Sequence, residues 1–102
     1  MPWFDVFSQP VELTEERWQH IVTEHPEVIE HKENIPGVLA DPDYVKRSKR
    51  DEHVMLYYRY FADILGGKYL LVAVKKDLAR SFVLTGYMTR SIMKGETLWE
   101  RS

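Results

Sequence analysis

A chain of 102 residues with 44% hydrophobic and 29% charged side chains is one soluble-type domain, residues 1–102, with apolar mass for a single core. Its formal charge of −2 gives no global attraction to nucleic acid, and the absence of cysteine excludes disulfides, thiolate metal sites and a cysteine nucleophile. No apolar run approaches the roughly 20 residues of a membrane span, and "MPWFDVFSQP" lacks a signal-peptide pattern, so a cytoplasmic protein without a membrane partner is expected.

Charge is unevenly spread. The first third is acidic, whereas "VKRSKR" (45–50) and "VKK" (74–76) are basic. In chain order, "FDVF" (4–7) alternates apolar and polar and predicts a short edge strand that Pro10 stops. Thr14 is an N-cap candidate, with Glu15 and Glu16 favouring the positive end of the helix that follows. That helix should end near Glu24 or His25, because Pro26 disfavours helical geometry in the residue before it. Pro26 can itself open a second helix through "EVIEHKENI", and "IPGVLADPDYVKRS" reads as a loop with a helical turn.

The second half is β-rich. "HVMLYYRYF", "KYLLVAVKK" and "RSFVLTGYMT" predict three strands, joined by "ILGGK" and "DLA" as antiparallel hairpins. "KGETLWERS" supplies a further edge strand through Leu98 and Trp99. Helices first and a meander second make an α+β domain with the helices on one sheet face.

"RWQHIVTEHPEV" (17–28) carries the most suggestive chemistry. His20 and His25 are five apart, about 140° around a helix, so they cannot chelate one metal ion from it. Trp18, Ile21 and Val22 form the apolar stripe; His25 continues it and His20 points outward. His25 reads either as a helix-end histidine bonding the last carbonyls or as a proton-transfer group where the helix meets the sheet. His31 and His53 have no constellation around them.

Strand alternation assigns Leu70, Val72, Val74, Phe82 and Leu84 to the helix side. The other side then carries Tyr69, Leu71, Ala73 and Lys75, with Ser81, Val83, Thr85 and Tyr87; Tyr57 and Arg59 join it from the first strand. Cations, hydroxyls and rings on one face can hold a phosphodiester, although a merely solvated face has the same pattern. Gly86 in "TGY" marks a bulge or a close backbone approach.

"HIVTEHPEV" with a following helix, then "VLADPDYV", "YYRYF", "KYLLVAVK", "FVLTGY" and a final "LW", together resemble the phage barnase–EndoU–colicin–RelE-like nuclease family, second subfamily. The likeness spans roughly residues 17–99 through diffuse motifs. It implies N-terminal helices packed on one face of a four-stranded antiparallel sheet, a barnase/RelE-like architecture. It further implies metal-independent cleavage of RNA without a cofactor, in a toxin-like or phage-derived protein that could have a cognate inhibitor or partner protein. By position, His25, Lys75, Thr85 and Tyr87 would be catalytic and Arg59 would bind substrate; Tyr57, Tyr69 and Ser81, from the face read above, would bind it with Arg59. Two other readings stay open. One is an inactive module binding RNA or protein; the other is an antitoxin-like protein whose acidic helices, with Glu15, Glu16 and Glu24, mimic nucleic acid.

Overall fold

Thr14 sets the start of the first helix. Its backbone is extended and its hydroxyl accepts a hydrogen bond from the Arg17 amide at 3.1 Å, satisfying an N–H that the first turn leaves free. Helix α1 (Glu15–Glu24) buries Trp18 and Ile21, and His25 caps it ahead of Pro26. The structure, a computed structural model, describes residues 2–102.

Three elements differ from the sequence expectation. Pro26–Asn34 is a 3₁₀ helix rather than an α-helix, and α2 (Ile35–Ala40) begins only after it. Only Val28 of that segment is buried, so no apolar stripe at α spacing anchors the wider coil. Near the N-terminus, β1 (Trp3–Phe4) pairs with β2 (Pro10–Val11), and Pro10 lies opposite Phe4 instead of ending the strand. Asp5 builds the intervening turn, accepting from the amides of Phe7 and Gln9 at 3.0 and 2.9 Å.

The third difference is in the sheet, which has five strands and not four. Its members are β3 (Tyr44–Arg47), β4 (Val54–Phe61), β5 (Lys68–Lys76), β6 (Ser81–Thr89) and β7 (Thr97–Glu100). Their order is β6-β5-β4-β3-β7, antiparallel throughout. The added strand is β3, from a stretch expected to be loop. Four residues would pair weakly alone, but here β4 and β7 ladder onto both sides and Val45 is fully buried.

The helices cover one face of the sheet. Trp18, Ile21, Val28, Val38 and Leu39 pack there against Val45, Tyr57, Leu70, Val72 and Val74. A second cluster, Val54, Leu56, Tyr58, Leu71 and Ala73, lies on the opposite face, called open below. The chain must return from β6 at one edge to β7 at the other. Four strand spacings across and about four residues along make a diagonal of roughly 23 Å. The eight steps from Thr89 to Thr97 reach roughly 26–29 Å when extended, so residues 90–96 have little slack and cross the open face as a short strap. Ile92 packs into the open-face cluster, and the Met93 amide donates to the Tyr58 hydroxyl at 3.1 Å.

No helix of the structure is long and apolar enough to cross a membrane.

Candidate functional site

A β-bulge decides which side chains reach the open face. Ala73 pairs with Thr85 and Val74 with Val83, leaving Leu84 as the extra residue. Thr85 and Tyr87 keep the open side, as read from the sequence. Below the bulge every side chain changes sides. Val83 is buried against the helices, Leu84 joins the open-face cluster, and Phe82 lies opposite Lys75. Ser81, expected to bind substrate, instead pairs with Lys76 at the sheet edge, and its carbonyl accepts from the Glu12 amide at 3.0 Å.

The register of β4 also corrects two expectations. Tyr57 is fully buried on the helix face, and its hydroxyl donates to Asp5 at 2.5 Å. Arg59 shares that side through Leu70 and donates to the carbonyl and carboxylate of Asp41, both at 2.9 Å. Neither can bind a ligand on the open face. Tyr58 takes the position expected of Tyr57, and Tyr69 faces the open side as anticipated.

What the open face does hold is a cleft of about 750 Å³. Leu56, Leu71, Ala73 and Leu84 form an apolar floor with Thr85 and Tyr87 at one side. Ser48–Asp51, in the β3–β4 connection, make one wall, and Met93 and Lys94 of the strap make the other. Lys49, Arg50 and Lys94 stand on this rim with no carboxylate within ion-pair distance among the described residues. The Thr85 hydroxyl is the one buried side-chain polar atom among the described residues with no hydrogen-bond partner. Such a group is unfavourable in the folded chain unless a ligand or water completes it.

His25 does not line the cleft itself but touches one of its lining residues. The chain turns at the end of α1, and the imidazole reaches around the β6 edge to Tyr87, ring centroids 5.0 Å apart at 41°. Nδ1 lies 3.8 Å from a Glu27 carboxylate oxygen, and about a third of the side chain is exposed. Tyr87 therefore links the histidine to the cleft that it lines. His20 is exposed and paired with Glu24 at 3.1 Å.

Lys75 occupies the open side of β5, but its ammonium is ion-paired with Asp51. This bond, a further one from the His53 amide and the Lys75 charge hold the Asp51 carboxyl below its ordinary value. The pair fastens the loop wall to the sheet. Burial pushes the Tyr58 phenol up, opposed by its bond from Met93 and reinforced by Tyr87, so Tyr58 is a neutral anchor for the strap.

Sequence reading missed Tyr58, the strap and the individual rim cations. "VKRSKR" signalled the cations as a basic run. In "VMLYYRYF" one alternating set is Val54, Leu56, Tyr58 and Tyr60 and the other Met55, Tyr57, Arg59 and Phe61; both combine apolar residues with tyrosine, so pattern did not fix the register. Among the described residues no three His, Asp or Glu side chains converge as a metal-binding group. No family model, no curated protein and no solved structure matches the chain.

Proposed function

We propose that this protein is a metal-independent endoribonuclease, a small toxin-like or phage-derived RNA-cleaving domain of the barnase–EndoU–colicin–RelE-like kind, working at the open-face cleft. The observation that carries the reading is the His25–Tyr87 contact beside a cleft whose cationic rim lacks acidic partners. The sequence resemblance supports it, as does the packing of N-terminal helices on the opposite face of an antiparallel sheet.

The scissile phosphate would lie at the cleft mouth, over Tyr87. His25 takes the proton of the ribose 2′-hydroxyl, the 2′ oxygen attacks phosphorus, and the bond to the 5′ oxygen breaks as that oxygen regains a proton. Tyr87, whose ring lies 5.0 Å from the imidazole, would serve as the second proton-transfer group. The Thr85 hydroxyl and the Lys49, Arg50 and Lys94 charges would stabilise the phosphoryl oxygens as charge grows on them.

Folded protein incubated with RNA in EDTA should give products ending in a 2′,3′-cyclic phosphate. His25→Ala and Tyr87→Phe should each lower the rate at least about a hundredfold, the scale of lost acid–base catalysis. Intact RNA across several RNA classes, with the protein shown to be folded, would refute nuclease activity. One observation favours a second reading, an inactive RNA-binding module: the one cleft carboxylate, Asp51, is engaged by Lys75 and offers no free base. RNA retained without cleavage, equally by wild type and His25→Ala, would establish that alternative.

A further inference from the structure

We infer that the open face carries a second nucleotide subsite, across the strap from the cleft, and that the two together select single-stranded RNA. The inference rests on the RNA reading of the cleft and names the class of RNA it takes.

Four tyrosines come together where β3, β4 and β5 run beyond the strap. Tyr44 and Tyr58 are paired across β3 and β4, and Tyr60 and Tyr69 across β4 and β5, so all four side chains share the open face. Tyr60 and Tyr69 meet at 5.3 Å and 67°, and Tyr69 meets Tyr58 edge-on at 6.1 Å. Between Tyr44, Tyr60 and Tyr69 lies a depression of about 300 Å³, closed at one side by Asp43 and Arg101. Tyr60 is 48% exposed, far more than a tyrosine placed only for packing requires. Gly67 lies so close to it that a Cβ there would overlap the phenol, which keeps the ring over the β4–β5 turn.

The rings, with Lys46 beside them, point to the occupant. Lys46 Nζ lies 6.0 Å from the Tyr44 ring centroid and donates to the Thr97 hydroxyl at 2.6 Å, with no carboxylate partner among the described residues. Asp43, the slot's own acid, is neutralised by Arg101 at 2.9 Å and accepts from the Tyr60 amide at 2.7 Å. Glu100, opposite Tyr44 on β7, adds a carboxylate at the outer edge, so recognition falls mainly to the rings. A slot of aromatic rings with Lys46 beside it suits a flat base joined to a phosphate, because stacking and backbone charge are then both used.

The strap makes the selection. It passes over Tyr58, with the cleft on one side and the tyrosine slot on the other. A polynucleotide filling both depressions must climb over Met93 and place an unpaired base in each. A duplex keeps its base faces stacked inside and presents phosphates, riboses and base edges, so it cannot place a base in either depression.

The test uses wild-type protein and fluorescent 2′-O-methyl oligonucleotides, which lack the attacking hydroxyl and stay intact. Anisotropy should show an unstructured 12-mer binding at least tenfold tighter than its duplex. Tyr60→Ala and Tyr69→Ala should each weaken the 12-mer by about tenfold, the scale of one lost stacking contact, while Tyr60→Phe retains binding. Equal affinity for duplex and single strand, or no response to either alanine substitution in folded protein, would overturn the subsite. A competing acidic protein ligand that ignores these tyrosines would overturn it too. The nuclease reading fails separately. Cleavage of RNA without single-strand preference removes only the subsite, whereas tyrosine-dependent binding without cleavage of ordinary RNA removes only the nuclease.

Discussion

Thr85→Val separates what the site contributes to stability from what it contributes to function. Valine keeps the β-branched shape and replaces the hydroxyl by a methyl group, so the strand preference of this position on β6 is unchanged. The hydroxyl lost is buried without a partner beside Ala73 and the apolar cleft floor. An unsatisfied buried polar group is unfavourable by about 1–3 kcal/mol, and a hydroxyl at the edge of a cleft belongs at the lower end. The substitution should therefore raise stability by about 1 kcal/mol, equivalent to roughly 4 °C in Tm for a domain of this size. Under the proposed function the same change removes a donor to the phosphoryl oxygens and should slow RNA cleavage by about ten- to a hundredfold. Thr85→Ser is the control, since it keeps the hydroxyl and much of the activity while losing one buried methyl group, about 0.8 kcal/mol.

Urea denaturation and a cleavage time course on the three proteins decide the matter. If the valine protein is less stable than wild type by 1 kcal/mol or more, the hydroxyl is satisfied in solution and the argument from its isolation is wrong. If it is more stable and cleaves at the wild-type rate, Thr85 is an ordinary strand residue and has no part in the site.

Asp5 offers a larger effect, far from the cleft. Its side chain is wholly buried and bonded to two amides, the Tyr57 hydroxyl and Lys76, so Asp5→Asn should lower stability by about 3 kcal/mol in urea; a loss under 1 kcal/mol would show the network to be incidental. Burial alone would raise the Asp5 carboxyl, but the bonds from Tyr57, Lys76 and Gln9 and the Lys76 charge outweigh it and hold it below its ordinary value. A depressed carboxyl stabilises the fold above its unfolded-state pKa of about 3.9, and that stability is lost as pH falls through the lower folded value. The urea midpoint of wild type should accordingly fall faster below about pH 4 than that of Asp5→Asn, and parallel curves would contradict the assignment. At Gly67, where φ is +108°, Gly67→Ala should lower Tm through backbone strain of about 1–3 kcal/mol and displacement of Tyr60; an unchanged Tm would show the turn to be adaptable. Lys75→Ala and Asp51→Asn should impair cleavage to a similar extent, mainly in KM, because each releases the same loop wall. A large loss of kcat confined to Lys75→Ala would return that lysine to the reaction itself.

The order of elements was readable because local signals agree with the fold. Thr14 as cap, Pro26 as terminator and three β-rich runs with short connections each act over a few residues. The fifth strand was not readable, since "YVKR" gains its stability from pairing on both sides, with β4 across a loop and with β7 about fifty residues farther along the chain. Side-chain direction failed for two further reasons. A one-residue bulge at Leu84 inverted Ser81, Phe82 and Val83 while sparing Thr85 and Tyr87. In β4, tyrosines at successive positions serve both faces, Tyr57 satisfied by buried Asp5 and Tyr58 by the strap amide, and composition cannot distinguish them.

A net charge of −2 opposes an RNA ligand only if the charges are mixed, and the fold keeps them apart. Residues 12–33 contain seven glutamates against Arg17 and Lys32, and these belong to the helical layer or its approach. The open side instead carries Lys46, Lys49, Arg50 and Lys94 without acidic partners among the described residues; of its carboxylates, Asp43 and Asp51 are engaged by Arg101 and Lys75, and Glu100, opposite Tyr44, lies at the far edge from the cleft. Packed layers lie about 10 Å apart, comparable to the screening length of about 8 Å at physiological salt. An anion approaching the cleft therefore meets the rim cations at close range, with the glutamates screened behind the sheet. The sum of −2 governs neither face alone. The acidic layer would orient the molecule, repelling polyanions from the helices and leaving the open face as their productive approach.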